Sequence, residues 1–300
     1  MRIGLYVGQA PSTEEALDEA RVAAEAGLDS VFFSQVFEWD ALTLTALAGQ
    51  RAPGIELGTA VVQTYPRHPI ALATQALTVQ AVTGNRLTLG IGPSHAPIIE
   101  NGFGLSYDRP ARHIREYLSA LAPLLRGEAV DHRGETLRAT ARLTVPGATA
   151  PPVLISALGP VMLRIAGESA DGTVTVWATP RTIAEHVRPR IEEAAAAAGR
   201  GAPRVVAGVH ACVTTDPEGV RRAIAAAVGP ASELPSYRAL LDRQGMSGLH
   251  ETVLAGDEET VAARIRAFAE AGATDLLVGR VGDATEQSRT LGLLSALRRR

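Results

Sequence analysis

The chain has 300 residues and a formal net charge of −3, and 46% of its residues are hydrophobic against 20% charged. These values are typical of a soluble globular protein and indicate neither a nucleic-acid partner nor an anionic membrane surface. No apolar run approaches the roughly 20 residues of a membrane span, and the N-terminus lacks the pattern of a signal peptide. We therefore expect a cytoplasmic protein without membrane contact.

Apolar segments of strand length alternate with segments of helix length along the chain. Polar capping residues, among them Ser12, Asp40 and Asp108, are predicted to begin helices. Residues 128–150 interrupt the alternation and predict a two-stranded excursion outside the parallel core. The predicted strands cover residues 3–7, 30–34, 56–62, 87–91, 153–156, 173–177, 204–213 and 275–279.

The same junction recurs at residues 24–31, 167–174 and 269–276, where a helix ends and an Asp precedes a strand. Repeated units of this kind favour an α/β fold of the (β/α)8 TIM-barrel type with inserted segments over an open sheet. No linker rich in Pro, Gly and Ser divides the chain, so residues 1–300 are predicted to form one domain. The single cysteine, Cys212, has no Cys or His at metal-ligand spacing, and no metal site is predicted.

In a parallel barrel the chemistry lies at the carboxyl ends of the strands. The third and fourth predicted strands end in polar loops that contain Gln63, Tyr65 and Arg67, and then His95. A histidine with a pKa near 6.5 can exchange a proton at neutral pH, although a lone histidine is equally compatible with a structural role. Arg67 could also be a solvated surface charge. Trp177, at the end of the sixth strand, is either a core residue or a pocket wall.

Residues 157–162 are the best candidate for an anion site. The stretch consists of Ala157, Leu158, Gly159, Pro160, Val161 and Met162. A strand ends there, a glycine allows close approach to the backbone, and a proline begins a helix whose free N–H groups favour a phosphate. The alternative is an ordinary strand-to-helix turn, and neither a Walker motif nor GxGxxG occurs in the chain.

Several segments together resemble the luciferase-like monooxygenase superfamily, and more closely its branch that uses the deazaflavin coenzyme F420. That branch includes methylenetetrahydromethanopterin reductase and F420-dependent glucose-6-phosphate dehydrogenase. The matching pieces follow the family's order: GIELGTAVVQTYPRHPIALATQALTVQ, GNRLTLGIGPSH, YDRPARHIREYLSALAPLLRGEAVDHRGE, PVLISALGPVMLRIAGESADGT and AGDEETVAARIRAFAEAGATDLLV.

The resemblance implies a homodimer whose deazaflavin ring lies over the carboxyl ends of the strands. It implies a non-proline cis peptide at Ala60-Val61 behind the ring and a phosphate cradle at residues 157–162. Gly92 and the residues after it would line the ring edge. Ser34 stands where several deazaflavin enzymes carry an acidic residue, and Ser94 stands near the place where flavin luciferases often carry an arginine, which disfavours FMN.

The resemblance makes a coenzyme F420-dependent oxidoreductase the first hypothesis. Hydride would pass between the deazaflavin and a small organic molecule, with reduction of C=N or C=C bonds favoured. His95 replaces a glutamate of the sugar-phosphate enzyme and would exchange the proton. Gln63 or Tyr65 would orient the substrate, and Arg67 could meet the acidic tail of the cofactor. The alternatives are an FMN-dependent monooxygenase that uses O2 and a barrel that binds a cofactor without catalysis.

Overall fold

The alternating segments close into a barrel of eight parallel strands, seen in a computed structural model that describes residues 1–8 and 10–299. The strands are β1 (Arg2–Val7), β2 (Ser30–Phe33), β3 (Glu56–Thr59), β4 (Val62–Gln63), β5 (Leu87–Gly92), β6 (Val130–Arg133), β7 (Arg138–Ala141), β8 (Val153–Ser156), β9 (Gly172–Val176), β10 (Arg204–Val213), β11 (Leu254–Gly256) and β12 (Asp275–Arg280). The barrel order is β1-β2-β3-β5-β8-β9-β10-β12, and β12 pairs with β1. The predicted (β/α)8 barrel is confirmed.

Helices cover the outside of the barrel. They are α1 (Thr13–Glu25), α2 (Ala41–Arg51), α3 (Pro69–Thr83), α4 (Pro110–Leu125), α5 (Pro160–Ser169), α6 (Pro180–Thr182), α7 (Arg188–Ala197), α8 (Pro217–Val228), α9 (Pro235–Gln244), α10 (Glu258–Glu270) and α11 (Ala284–Arg298). Ser12 and Asp40 accept hydrogen bonds from backbone N–H groups in the first turns of α1 and α2, as predicted. None of the helices in residues 1–8 and 10–299 has the length and apolar character needed to cross a bilayer.

Three details differ from the sequence predictions. The third strand is not continuous, because a cis peptide at Ala60-Val61 separates β3 from β4. The prediction that Asp108 caps α4 was wrong: the N-cap is Arg109, which has a positive φ of 49° and makes no side-chain capping bond. The short strand β11 was not predicted, and it pairs with β10 outside the barrel circuit. The predicted excursion is confirmed as the antiparallel β6–β7 hairpin.

Apolar side chains fill the barrel interior beneath its carboxyl-terminal face. They come from facing strands, so the interior is a packed core and not a pore. Tyr6 and Val61 pack against this cluster, and both also line the cavity described below. The cluster consists of Phe32, Ala60, Leu154, Val174, Val206 and Leu277.

Ion pairs close the opposite, amino-terminal end of the barrel. Arg204 Nη1 lies 2.8 Å from Glu56 Oε1, and Arg204 Nη2 lies 2.7 Å from Asp275 Oδ1. Burial lowers the pKa of Arg204, but the hydrogen bonds to these carboxylates outweigh burial and raise it overall. The charged side chains at this end are therefore paired with one another and hold the strands together.

Candidate active site

A cavity of about 290 Å³ opens at the carboxyl ends of the barrel strands. This volume is close to the lower limit of about 300 Å³ for small-molecule pockets. Every barrel strand except β10 and β12 supplies the wall directly or through the loop that follows it. The lining residues are Tyr6, Ser34, Gln35, Val36, Ala60, Val61, Gln63, Pro93, Ser94, His95, Ile98, Tyr107, Ser156, Leu158, Gly159, Met162, Val174, Val176, Trp177, Ser236 and Tyr237.

The cis peptide Ala60-Val61, at the position that the family resemblance implied, forms part of the cavity wall. The cis peptide makes a bulge between β3 and β4, and β5 packs closely against this bulge on one side and against β8 on the other, so two positions of β5 require glycine. A Cβ at Gly90 would lie 1.9 Å from the carbonyl oxygen of Thr59, and a Cβ at Gly92 would lie 2.1 Å from Ser156 Oγ. Gly92 itself does not line the cavity but allows the wall residue Ser156 to pack behind it.

His95 lies on the cavity wall, just after β5. Its Nδ1 is 3.1 Å from Ser236 Oγ, and the ring centroids of His95 and Tyr237 are 4.9 Å apart. In the part of the chain that the structure describes, no second hydrogen-bond partner of the ring is seen, so Nε2 is the nitrogen left for a ligand. Burial lowers the pKa of His95 below 6.5, so the imidazole is neutral at pH 7.

Gln63 follows the bulge by two residues and lies almost fully buried on the cavity wall. Its Oε1 has no hydrogen-bond partner among the described residues. An unsatisfied buried acceptor costs about 1–3 kcal/mol, and natural proteins keep few of them. Rotation of the amide exchanges its oxygen and nitrogen ends, so the group can offer an acceptor to a ligand that brings an N–H or O–H group.

The N-terminus of α5 lies at the cavity edge. Its N-cap is Gly159, which has no side chain to cap the helix, and Pro160 at the first position has no N–H. The following N–H groups and the helix dipole therefore face outward without a side-chain partner, as an anion site requires. His186 Nε2 donates a hydrogen bond of 2.8 Å to the carbonyl oxygen of Leu158 and fixes the turn from behind.

The predicted site residues divide into two groups. Those that line the cavity are Ser34, Ala60, Val61, Gln63, Ser94, His95, Leu158, Gly159, Met162 and Trp177. Those that lie behind or beside it are Tyr65, Arg67, Gly92, Ala157, Pro160 and Val161. Ala157 belongs to the core outside the cavity, and Val161 is 52% exposed.

Tyr65 and Arg67 have partners outside the cavity. The Tyr65 ring stacks on His113 with centroids 3.9 Å apart, and it lies 5.2 Å from the ring of the lining residue Tyr107. Arg67 forms an ion pair with Asp40, and its Nη1 donates to Gln75 Oε1 at 2.7 Å. The guanidinium is thus held between α2 and α3 rather than directed into the cavity.

Sequence reasoning missed several lining residues. Tyr6 and Ser156 lie at or next to the carboxyl ends of predicted strands, so the rule that found His95 could have found them. Ser236 and Tyr237 begin α9. The family resemblance implies substrate contacts from residues 229–250 as a whole, but no motif there singles out either residue. This region reaches the site because α9 packs with Trp177 in a separate apolar cluster.

The arrangement fits a flat heteroaromatic cofactor with an anionic tail. The apolar bulge offers a surface for a ring, Gln63 Oε1 offers an acceptor, and the start of α5 offers N–H groups to a phosphate. Within residues 1–8 and 10–299, no group of three or more His, Cys, Asp or Glu side chains is arranged to hold a metal ion.

A closed parallel barrel with a ligand-sized cavity at the carboxyl ends of its strands defines the (β/α)8-barrel class of enzymes. Within this class, the chain belongs to the family described as luciferase-like monooxygenase, whose model matches residues 1–275.

A protein of Mycobacterium tuberculosis that is named as a coenzyme F420-dependent oxidoreductase is 30% identical over 202 residues, which cover 60% of this chain and 57% of that protein. The match thus spans less than two thirds of that relative. The coenzyme F420-dependent tetrahydromethanopterin reductase of Methanopyrus kandleri has the same fold, with a TM-score of 0.82, 22% identity and coverage of 98% and 97% of the two chains.

A second solved structure with this fold is the oxygenating constituent of 3,6-diketocamphane monooxygenase from Pseudomonas putida, in complex with FMN. Its TM-score is 0.77 at 19% identity, with coverage of 98% of this chain and 97% of that one. At these identities the structural matches establish the fold alone.

Proposed function

We propose that the protein is a coenzyme F420-dependent oxidoreductase that transfers hydride between the deazaflavin and a small organic molecule, with reduction of a C=N or C=C bond favoured. The observation that carries this proposal is the junction of three features at one cavity: the Ala60-Val61 bulge, the unpartnered Gln63 Oε1 and the uncapped start of α5. The name of the mycobacterial relative supports F420 as the cofactor.

The residues of this chain would hold the cofactor as follows. Ala60 and Val61 support the ring, and Gln63 Oε1 accepts a hydrogen bond from a ring N–H. Ser34 and Ser94 bound the ring edge, and Gly92 contributes indirectly by allowing Ser156 to pack against its strand. The backbone from Leu158 to Met162 binds the phosphate, and Pro160 and Val161 contribute as the first turn of α5. When bound, F420 supplies the two-electron hydride chemistry.

His95 would donate the proton that accompanies hydride transfer to the substrate, or accept it in the reverse direction. With Nδ1 hydrogen-bonded to Ser236, the neutral ring presents Nε2 to the substrate. The Ser236 hydroxyl is exposed to solvent, so it connects the ring to water that can restore the proton. Trp177 orients the substrate, while Tyr65 supports Tyr107 and Arg67 supports the wall by holding α2 against α3.

An FMN-dependent monooxygenase is the second candidate, since the diketocamphane monooxygenase binds FMN in the same fold. The two candidates differ in their need for O2. Purified protein is therefore assayed with reduced F420 under argon, and separately with reduced FMN in air, against uncharged enones, imines and ketones.

The proposal predicts product with reduced F420 under argon, and a fall of about 100-fold in kcat for His95→Ala at unchanged cofactor affinity, within the range typical of general acids. Product formed only with reduced FMN and O2 would overturn it. Equal turnover by His95→Ala would remove His95 from the chemistry and favour a different proton donor.

We also propose a homodimer. Leu47 on α2 and Val82 on α3 are 47% and 48% exposed, and Gln50 Nε2, one turn after Leu47, donates to the carbonyl oxygen of Val82 at 2.8 Å. The two exposed apolar side chains therefore lie on neighbouring parts of the surface, which we take as the dimer contact. Light scattering should give twice the mass of one chain, and the double substitution Leu47→Asp with Val82→Asp should give a monomer. A monomeric unsubstituted protein would contradict this arrangement. The cytoplasmic location stays a prediction.

A further inference from the structure

The cavity wall contains no aspartate, glutamate, lysine or arginine among the lining residues of the described chain. This absence matters because a buried charge without a partner loses several kcal/mol of solvation. A ligand carboxylate or phosphate is normally met by an arginine or lysine. A substrate that brought such a group into this cavity would find only neutral side chains.

The titratable residues on the wall are also neutral near pH 7. Burial lowers the pKa of His95, so the ring does not carry a positive charge. Burial raises the pKa of Tyr6, Tyr107 and Tyr237, which keeps the three phenols protonated. Arg67 cannot supply the missing cation, since Asp40 and Gln75 already hold its guanidinium outside the cavity.

Exposed apolar side chains also stand at the rim of the cavity, in loops that carry the exposed carboxylates Glu38 and Glu100 but neither lysine nor arginine in residues 34–39 and 98–107. The loop that contributes Val36 to the wall also exposes Phe37, which is 62% accessible. The segment that contributes Ile98 and Tyr107 exposes Phe103, and the rings of Phe37 and Phe103 lie 5.7 Å apart. A contiguous exposed apolar surface beside a cavity is a common mark of a binding site.

We infer that the substrate is an uncharged, apolar compound that carries one reducible polar group, such as a ketone, enone or imine without a carboxylate or phosphate. This inference rests on the proposed function and deepens it. The reducible group would meet His95 and Ser236, and the apolar body would lie along Val36, Ile98 and the Phe37–Phe103 rim.

A matched set of ligands tests the inference. We would compare 4-oxocyclohexane-1-carboxylate with its ethyl ester and with its primary amide. The amide matches the carboxylate in size and differs from it in charge, so it should also bind more tightly than the carboxylate, which separates the effect of charge from the apolar contact of the ethyl group. In a Trp39→Phe background, Trp177 is the remaining tryptophan and lies on the cavity wall, so its fluorescence reports binding. The ester should bind at least tenfold more tightly at pH 7.5. Equal affinity, preference for the carboxylate, or no binding of the ester would overturn the inference.

A charge placed at the rim should reverse the preference. Val36 lines the cavity yet is 42% exposed, so an arginine can be accommodated there with its head group near water. Val36→Arg should tighten carboxylate binding at least tenfold, while the uncharged control Val36→Gln should not. Both variants should weaken the ester to a similar extent, because both remove the apolar contact of Val36 and they differ in charge. If Val36→Gln improves carboxylate binding as much as Val36→Arg, charge is not what excludes the acid.

The rim is tested separately, with Leu47 as the control because it is an exposed apolar residue that does not line the cavity. Since Leu47 lies on the proposed dimer surface, the mass of both variants is measured by light scattering. Phe37→Ser should weaken ester binding at least threefold, and Leu47→Ser should not. If Phe37→Ser changes the oligomeric state but leaves the ester affinity unchanged, the rim is a contact between copies of the chain. That result would overturn the claim that the rim binds the substrate.

All affinities are measured at saturating F420, and again on cofactor-free protein in saturating inorganic phosphate, which occupies the anion site at the start of α5 so that the carboxylate does not bind there. Failure of F420 to bind would contradict the proposed function, whereas the charge preference is measured from the ratio of affinities in either state. The two claims therefore fail through different results.

Discussion

Replacement of Gln63 by leucine should have opposite effects on the empty protein and on cofactor binding. Gln63 is 3% exposed, and its Oε1 has no partner within residues 1–8 and 10–299. Removal of an unsatisfied buried acceptor recovers part of its cost of about 1–3 kcal/mol, so Gln63→Leu should raise the free energy of unfolding by ~1–2 kcal/mol. Loss of the hydrogen bond to the ring, worth about 0.5–1.5 kcal/mol, should weaken F420 binding roughly two- to tenfold.

Urea unfolding of the cofactor-free protein and fluorescence titration with F420 measure the two quantities. Gln75→Leu is the matched control, because Gln75 Oε1 accepts from Arg67 at 2.7 Å outside the cavity. This control should lower stability, since it leaves the Arg67–Asp40 pair short of a partner, and should not change F420 affinity. A less stable Gln63→Leu protein with unchanged F420 affinity would refute the reasoning.

Three further predictions follow from burial and close packing. Because burial lowers the pKa of His95, the pH profile of kcat/KM should show no inflection from His95 between pH 6.5 and 8, and a step in that window would show that the ring is not neutral there. Burial lowers the pKa of His210 to about 4, so the unfolded chain takes up a proton near pH 6.5 before the folded chain does. The free energy of unfolding should therefore fall with decreasing pH. His210→Phe should remove about 2 kcal/mol of its difference between pH 7.5 and pH 5. An identical pH dependence in the variant would contradict this. Gly92→Ala places a Cβ 2.1 Å from Ser156 Oγ and should cost about 1–3 kcal/mol and weaken F420 binding. The control Gly201→Ala, with open space around its Cβ, should leave stability unchanged in urea unfolding.

Much of the site was predictable because a parallel barrel gathers the carboxyl ends of its strands on one face. That rule, together with short polar loops after the strands, was enough to select Gln63, His95 and the start of α5. The alternation of strand and helix was also strong, since the strands of a barrel are buried on both faces and appear as short apolar runs. The bulge at Ala60-Val61 came from the family resemblance alone, as nothing in two small apolar residues indicates a cis peptide.

Other features depend on contacts between distant segments. The pKa of His95 is set by burial beneath α9, and its partner Ser236 lies 141 residues further along the chain. Arg67 was a candidate ligand contact because its loop follows a strand, but Asp40, 27 residues earlier, holds it in an ion pair. Asp108 has the side chain of a capping residue, yet the chain turns into α4 one residue later. Local sequence does not encode such pairings.

The central claim, that the cavity binds a deazaflavin, is tested most directly by equilibrium dialysis of the purified protein against equal concentrations of F420 and FMN. The amount of each cofactor retained per chain is then measured after denaturation. The account predicts close to one F420 per chain and little FMN. The amount of F420 retained per chain should fall for Gln63→Leu. Preferential retention of FMN would contradict the account, and retention of neither would show that the start of α5 and the bulge do not form a cofactor site.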